Sequence, residues 1–147
     1  MSMTLLKIAR MGHPVLLQPA LPVADPQAPA VRTLVADMIE TMLDAGGVGL
    51  AAPQVHQGLR LFVYRVPDTR STGDDDPPRL PAALINPVLE PVDDDMVDRM
   101  EGCLSIPGLR GWGLGAALPS HRLARHECAR PGNPRHCNRL FGQCIPA

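Results

Sequence analysis

The chain is 147 residues long, enough to bury one core and too short for two domains of ordinary size. Its 14 basic and 15 acidic side chains leave a formal net charge of -1. No overall field therefore draws in nucleic acid or an anionic membrane, and a partner has to be recognised by a local site. The first residues lack the continuous apolar stretch and small-residue cleavage pattern of a secretory leader. Nothing approaches the roughly eighteen apolar residues that span a bilayer. The expectation is a reduced, cytoplasmic setting in which the four cysteines are thiols rather than disulfides.

In chain order, the first clear element is a helix predicted over residues 26–45. Val31, Leu34, Val35, Met38, Ile39, Met42 and Leu43 recur at intervals of three and four and line up as one apolar stripe. Asp25 followed by Pro26 suits the start, because a carboxylate can accept orphan N–H bonds and proline lacks one to satisfy. Gly46 and Gly47 suit the stop, since glycine enters the left-handed cap conformation without steric cost.

Residues 60–66 alternate as a strand, with Leu61, Val63 and Arg65 on one side and Phe62, Tyr64 and Val66 on the other. Residues 68–81 have the Gly, Asp and Pro composition of an exposed loop. Residues 84–92 read as a second strand, weakened by Pro87, and Asp93-Asp94-Asp95 suits a turn into a third over residues 96–100. An antiparallel meander beside one helix makes this an α+β fold.

Two short blocks carry chemistry. Gly47-Val48-Gly49-Leu50-Ala51-Ala52-Pro53-Gln54 follows the helix directly. Its glycines permit close approach of another backbone, as a bound peptide strand needs, and it ends in a carboxamide. Taken alone it also fits a helix cap running into a tight turn. Glu101-Gly102-Cys103-Leu104-Ser105 follows the third predicted strand, and a cysteine in such a place is ordinarily a small core residue.

Together and in this order, the two blocks resemble the first and second signature motifs of peptide deformylases. Gly12-His13-Pro14-Val15-Leu16 and the helix before the first block are similar to the same family. The resemblance covers roughly residues 5–112. It implies small antiparallel or mixed sheets packed around helices. It also implies removal of the formyl group from N-terminal formyl-methionine of nascent polypeptides as they leave the ribosome. The expected metal is Fe(2+), with Zn(2+) or Ni(2+) as substitutes. By the same resemblance Cys103 is a metal ligand whose thiolate holds such a cation, and the cation turns bound water into a nucleophile. Gln54 and the backbone N–H of Leu104 are the two oxyanion donors. Val48 and Gly49 pair with the peptide substrate as an added strand would, which reads no side chains and suits an enzyme acting on many proteins.

The family's third motif, His-Glu-x-x-His on a C-terminal helix, supplies two further metal ligands and a general acid/base. This sequence contains no such pentad. The nearest string, His126-Glu127-Cys128-Ala129-Arg130, ends in arginine and runs into Pro131-Gly132, which breaks a helix. The expected division is therefore an incomplete deformylase-like domain over residues 1–112 and an irregular basic tail over 113–147, with the C-terminal helix missing. The family-like pattern stops near Gly111-Trp112, and the tail has the Arg, Pro, Gly, Ala and Cys bias of an out-of-frame reading of a GC-rich gene. Impaired hydrolysis is the expectation. Two rivals stand beside it: a non-catalytic binder of extended N-terminal peptides, and a thiol or zinc module built on Cys128, Cys137 and Cys144.

Overall fold

The computed structural model describes residues 4–70, 79–91, 99–113 and 121–123. Helix α1 (Pro29–Asp44) packs against a three-stranded antiparallel sheet of β1 (Gly49–Ala51), β2 (Leu61–Val66) and β3 (Arg79–Ile85), in that spatial order. Two two-stranded pairs accompany it. One is β4 (Leu89–Pro91) with β7 (His121–Leu123), the other a hairpin of β5 (Arg99–Gly102) and β6 (Arg110–Gly113). This is the α+β arrangement expected.

The apolar stripe of α1 does what its spacing requires. Val35, Met38 and Met42 are buried, while Val31, Leu34, Ile39 and Leu43 pack partly buried around a cluster with Leu50, Leu61, Val63, Ala83 and Ile85. Fully burying a side chain of this size is worth about 1.5–3 kcal/mol, so among the described residues the helix–sheet layer is the main source of stability. Thr41 shares the stripe, and its hydroxyl is satisfied by donating to the Asp37 carbonyl (2.7 Å) and accepting from Leu6 N–H (2.9 Å).

The helix starts at Pro29, not at Asp25-Pro26. A residue before proline is driven out of the helical region, and Ala28 accordingly lies at φ -55, ψ 138, so no helix can run through it. Pro29 takes the first helical position that Pro26 was expected to fill. Asp25 instead closes a local turn by accepting from Gln27 N–H at 2.9 Å. At the other end Gly46 adopts φ +65, as expected of the stop.

The strand expected over residues 84–92 is divided. Asn86 sits at φ 53 and Pro87 follows it, so β3 ends at Ile85 and β4 begins at Leu89. Asn86 is held there by a two-way amide pairing with Val23, accepting from its N–H at 2.7 Å and donating to its carbonyl at 2.9 Å. In the other direction, β3 begins within the expected loop, at Arg79, and contains Pro81. Proline is tolerated because the β2–β3 register shifts between Tyr64 and Val66, leaving a bulge where no ladder bond from Pro81 is called for. The third expected strand overlaps β5 at Arg99 and Met100, and residues 92–98 lie outside the described region. Of the tail, His121–Leu123 pairs with β4, and residues 114–120 and 124–147 lie outside the described region.

Candidate active site

The octapeptide becomes three successive pieces of local structure. Gly47 is buried at the end of the helix cap, its N–H donating to the Met42 carbonyl at 2.8 Å. A Cβ on Gly47 would lie 2.8 Å from Leu104 Cδ1 and 3.3 Å from the Met42 carbonyl oxygen. The close approach that this glycine permits is thus made by the protein's own second motif, through Leu104.

Gly49–Ala51 then forms β1 at the edge of the sheet. Arg65 N–H donates to the Val48 carbonyl at 2.9 Å, which sets the phase of the β1–β2 ladder. Antiparallel pairs alternate, so Leu50 also faces β2, whereas the N–H and C=O of Gly49 and Ala51 project from the open edge. Of the two residues expected to meet a peptide, Gly49 offers both backbone groups outward and Val48 has its carbonyl committed to the sheet. The outward N–H of Ala51 donates to Gln54 Oε1 at 2.9 Å. Arg65 also donates from Nε to the Gly47 carbonyl (2.9 Å), explaining why a cation stands on the apolar side of β2.

Gln54 closes the block from a short 3-10 turn, Ala52–Val55. Its amide has a fixed sense, because Ala51 N–H can only donate and so must face the oxygen. Nε2 therefore points at the second motif, reaching Ser105 Oγ at 3.1 Å and Cys103 Sγ at 3.5 Å. Gln54 is half-buried with both ends of its amide engaged, not a solvated side chain.

Cys103, also half-buried and a free thiol, opens the loop of residues 103–109 that joins β5 to β6. Ile106 N–H donates to its carbonyl at 3.0 Å, forming a turn with Leu104 and Ser105 at the centre. A second turn follows with Pro107-Gly108, glycine at φ +80. Leu104 packs against the main core cluster, anchoring the loop. The N-terminal segment ties both motifs together: Ala9 N–H donates to the Gln54 carbonyl (2.7 Å) and Met11 N–H to the Ser105 carbonyl (2.9 Å).

The structure thus brings Gln54, Cys103 and Leu104 to one place beside the β1 edge. Sequence reasoning missed Ser105 and Arg65. Ser105 had a signal, a polar residue between Leu104 and Ile106, and Arg65 had another, a charge in an apolar alternation.

The comparisons with known proteins follow the same residues. The family model described as polypeptide deformylase matches residues 5–113. The chain belongs to the polypeptide deformylase family. It is 43% identical to peptide deformylase 1 of Bordetella pertussis, over 95% of this chain and 84% of that protein. It is also 43% identical to peptide deformylase 1 of Xanthomonas axonopodis pv. citri, covering 87% and 72% respectively. Among solved structures it resembles the peptide deformylase of Ehrlichia chaffeensis in complex with actinonin, with a TM-score of 0.70, 30% identity, and 82% and 69% of the two chains covered. A Met-Ala-Ser-bound class I type b peptide deformylase from Acinetobacter baumannii gives a TM-score of 0.69 at 27% identity, covering 87% and 82%. The family is one of hydrolases acting on formylated nascent peptides.

A catalytic metal centre needs about three protein ligands. Among the described residues no three His, Cys, Asp or Glu side chains gather as a metal-binding group. Cys103 is one soft donor, and the neighbouring Nε2 of Gln54 is a hydrogen-bond donor rather than a ligand. The described residues do not fit a complete centre, and the side chains of His121, His126, Glu127, Cys128, His136, Cys137 and Cys144 lie outside them. No helix among the described residues is long and apolar enough to cross a membrane.

Proposed function

We propose that this chain recognises the N-formyl-methionyl end of extended peptides and nascent chains and removes the formyl group at a rate impaired by its missing third motif. The observation that carries the reading is the 3.5 Å approach of Gln54 Nε2 to Cys103 Sγ. Two polar side chains 49 residues apart in sequence converge there beside an open strand edge.

In this reading the peptide lies along β1 and pairs with the outward N–H and C=O of Gly49, while Val48 stiffens the edge through its bond to Arg65. Such pairing fixes the depth of the peptide without regard to its side chains. The formyl oxygen then meets the Nε2–H of Gln54 and the backbone N–H of Leu104, which stabilise the negative charge that develops when the carbonyl is attacked. Cys103 is the residue that would hold a metal, Fe(2+), Zn(2+) or Ni(2+), whose chemistry in the family is activation of water. The whole sequence contains no His-Glu-x-x-His to complete the ligand set, and this supports slow hydrolysis.

Elemental analysis of the purified chain, run beside deformylation of formyl-Met-Ala-Ser, tests the reading. The expected result is less than one metal per chain and slow turnover. Gln54→Leu lowers that turnover by a further factor of roughly 10² to 10³, the usual cost of losing one oxyanion donor. Full metal occupancy with fast turnover would refute the impairment. Binding of the peptide with no turnover would favour a non-catalytic binder, and neither binding nor turnover would remove the deformylase reading from this chain.

A further inference from the structure

Ser105 is buried, with 5% of its surface exposed, and its hydroxyl touches the Gln54 amide at 3.1 Å. We propose that Ser105 is a positioning residue for Gln54: its hydroxyl takes one amide N–H so that the other is presented to the formyl oxygen of the bound peptide. The inference rests on the deformylase reading above and assigns a role to a residue outside the five already placed at the site.

The Gln54 amide makes three contacts. Oε1 is pinned by Ala51 N–H at 2.9 Å, so both protons of Nε2 face the loop of residues 103–109. One goes to a hydroxyl oxygen, the other to the sulfur of Cys103 at 3.5 Å. The contact to sulfur is the longer of the two, 3.5 Å against 3.1 Å, so the bond to Cys103 is the one a carbonyl oxygen can replace. The bond to Ser105 stays, and it fixes rotation about the last side-chain torsion.

Ser105 in turn is held from behind. Its carbonyl accepts from Met11 N–H at 2.9 Å, and the Gln54 carbonyl accepts from Ala9 N–H at 2.7 Å. Alternate N–H groups of one short segment therefore set the separation of the two residues whose side chains meet. Without the hydroxyl, Gln54 keeps a single anchor at Ala51, and its two N–H groups are no longer distinguished by their surroundings.

The test uses the full chain with Ser105→Ala and Ser105→Thr, and combines side-chain amide NMR of Gln54 with binding of formyl-Met-Ala-Ser and unformylated Met-Ala-Ser. In the unmodified chain one Nε2 proton is expected to exchange slowly with solvent. Ser105→Ala removes that protection and lowers the preference for the formylated peptide by roughly three- to tenfold, the worth of one hydrogen bond. Affinity for Met-Ala-Ser stays unchanged, which a merely structural loss would not spare. Ser105→Thr, which keeps a hydroxyl, restores both readings. An unprotected Gln54 amide in the unmodified chain overturns the proposal whatever the variants do, as does an unaltered formyl preference in Ser105→Ala. A protected amide with no formyl preference in the unmodified chain sinks the deformylase reading, and the positioning role with it.

Discussion

Replacing Gly47 by alanine tests the packing on which the site depends. Gly47 lacks the left-handed φ that Gly46 has, so its backbone accepts alanine without torsional strain. Space is the obstacle. The new methyl would lie 2.8 Å from Leu104 Cδ1, well inside the ~3.5–4.0 Å of an ordinary carbon contact. Overpacking of this kind costs about 1–3 kcal/mol, and the reduced freedom of the unfolded chain returns about 0.4–1 kcal/mol. The net expectation is a loss of about 1–2 kcal/mol. Leu104→Ala alone loses part of a half-buried leucine, about 1–3 kcal/mol. It also clears the obstruction, leaving the Met42 oxygen at 3.3 Å as the tight neighbour. In that background Gly47→Ala costs little, so the cycle shows a coupling of about 1–2 kcal/mol. Urea unfolding of the four proteins measures it. Equal cost of Gly47→Ala in both backgrounds would refute the idea that Leu104 is what requires the glycine.

Two further substitutions have defined outcomes. Asn86→Ala removes both bonds to Val23 and places alanine at φ 53, so a loss of about 2–3 kcal/mol is expected in urea unfolding. Arg65→Met removes the bond from Nε to the Gly47 carbonyl, and weakens binding of formyl-Met-Ala-Ser by roughly three- to tenfold, measured by calorimetry. Arg65→Lys fails to rescue it, because an ammonium lacks the fixed planar reach of Nε.

Legibility in the sequence followed the range of the forces involved. The α1 stripe, its glycine stop and the alternation of β2 are local patterns, and each appears where the spacing puts it. The start of α1 differs from the expectation because two prolines near one helix end both satisfy the local rule, and the second bars Ala28, between them, from the helix. β3 was misplaced since a bulge that admits Pro81 and a turn built on the Asn86–Val23 pairing are made by partners distant in the chain. The two motifs were readable as letters, and Gln54, Cys103 and Leu104 do meet. What no local pattern reveals is that Gly47 makes room for Leu104, that the Val48 carbonyl is taken by Arg65, or that Ser105 touches the Gln54 amide.

The Gln54–Ser105 contact bears on the order of assembly. During synthesis from the N-terminus, α1, β1 and β2 can coalesce as soon as β2 is made. The contact between Gln54 and Ser105 spans 51 residues and must wait for the β5–β6 loop, and distant loop closure is slow. The helix–sheet interior is therefore expected to form before the Gln54–Ser105 contact does. Loss of the Ser105 hydroxyl would leave a folded core with the Gln54 amide held by Ala51 alone, so melting curves and the orientation of that amide report on different parts of this molecule.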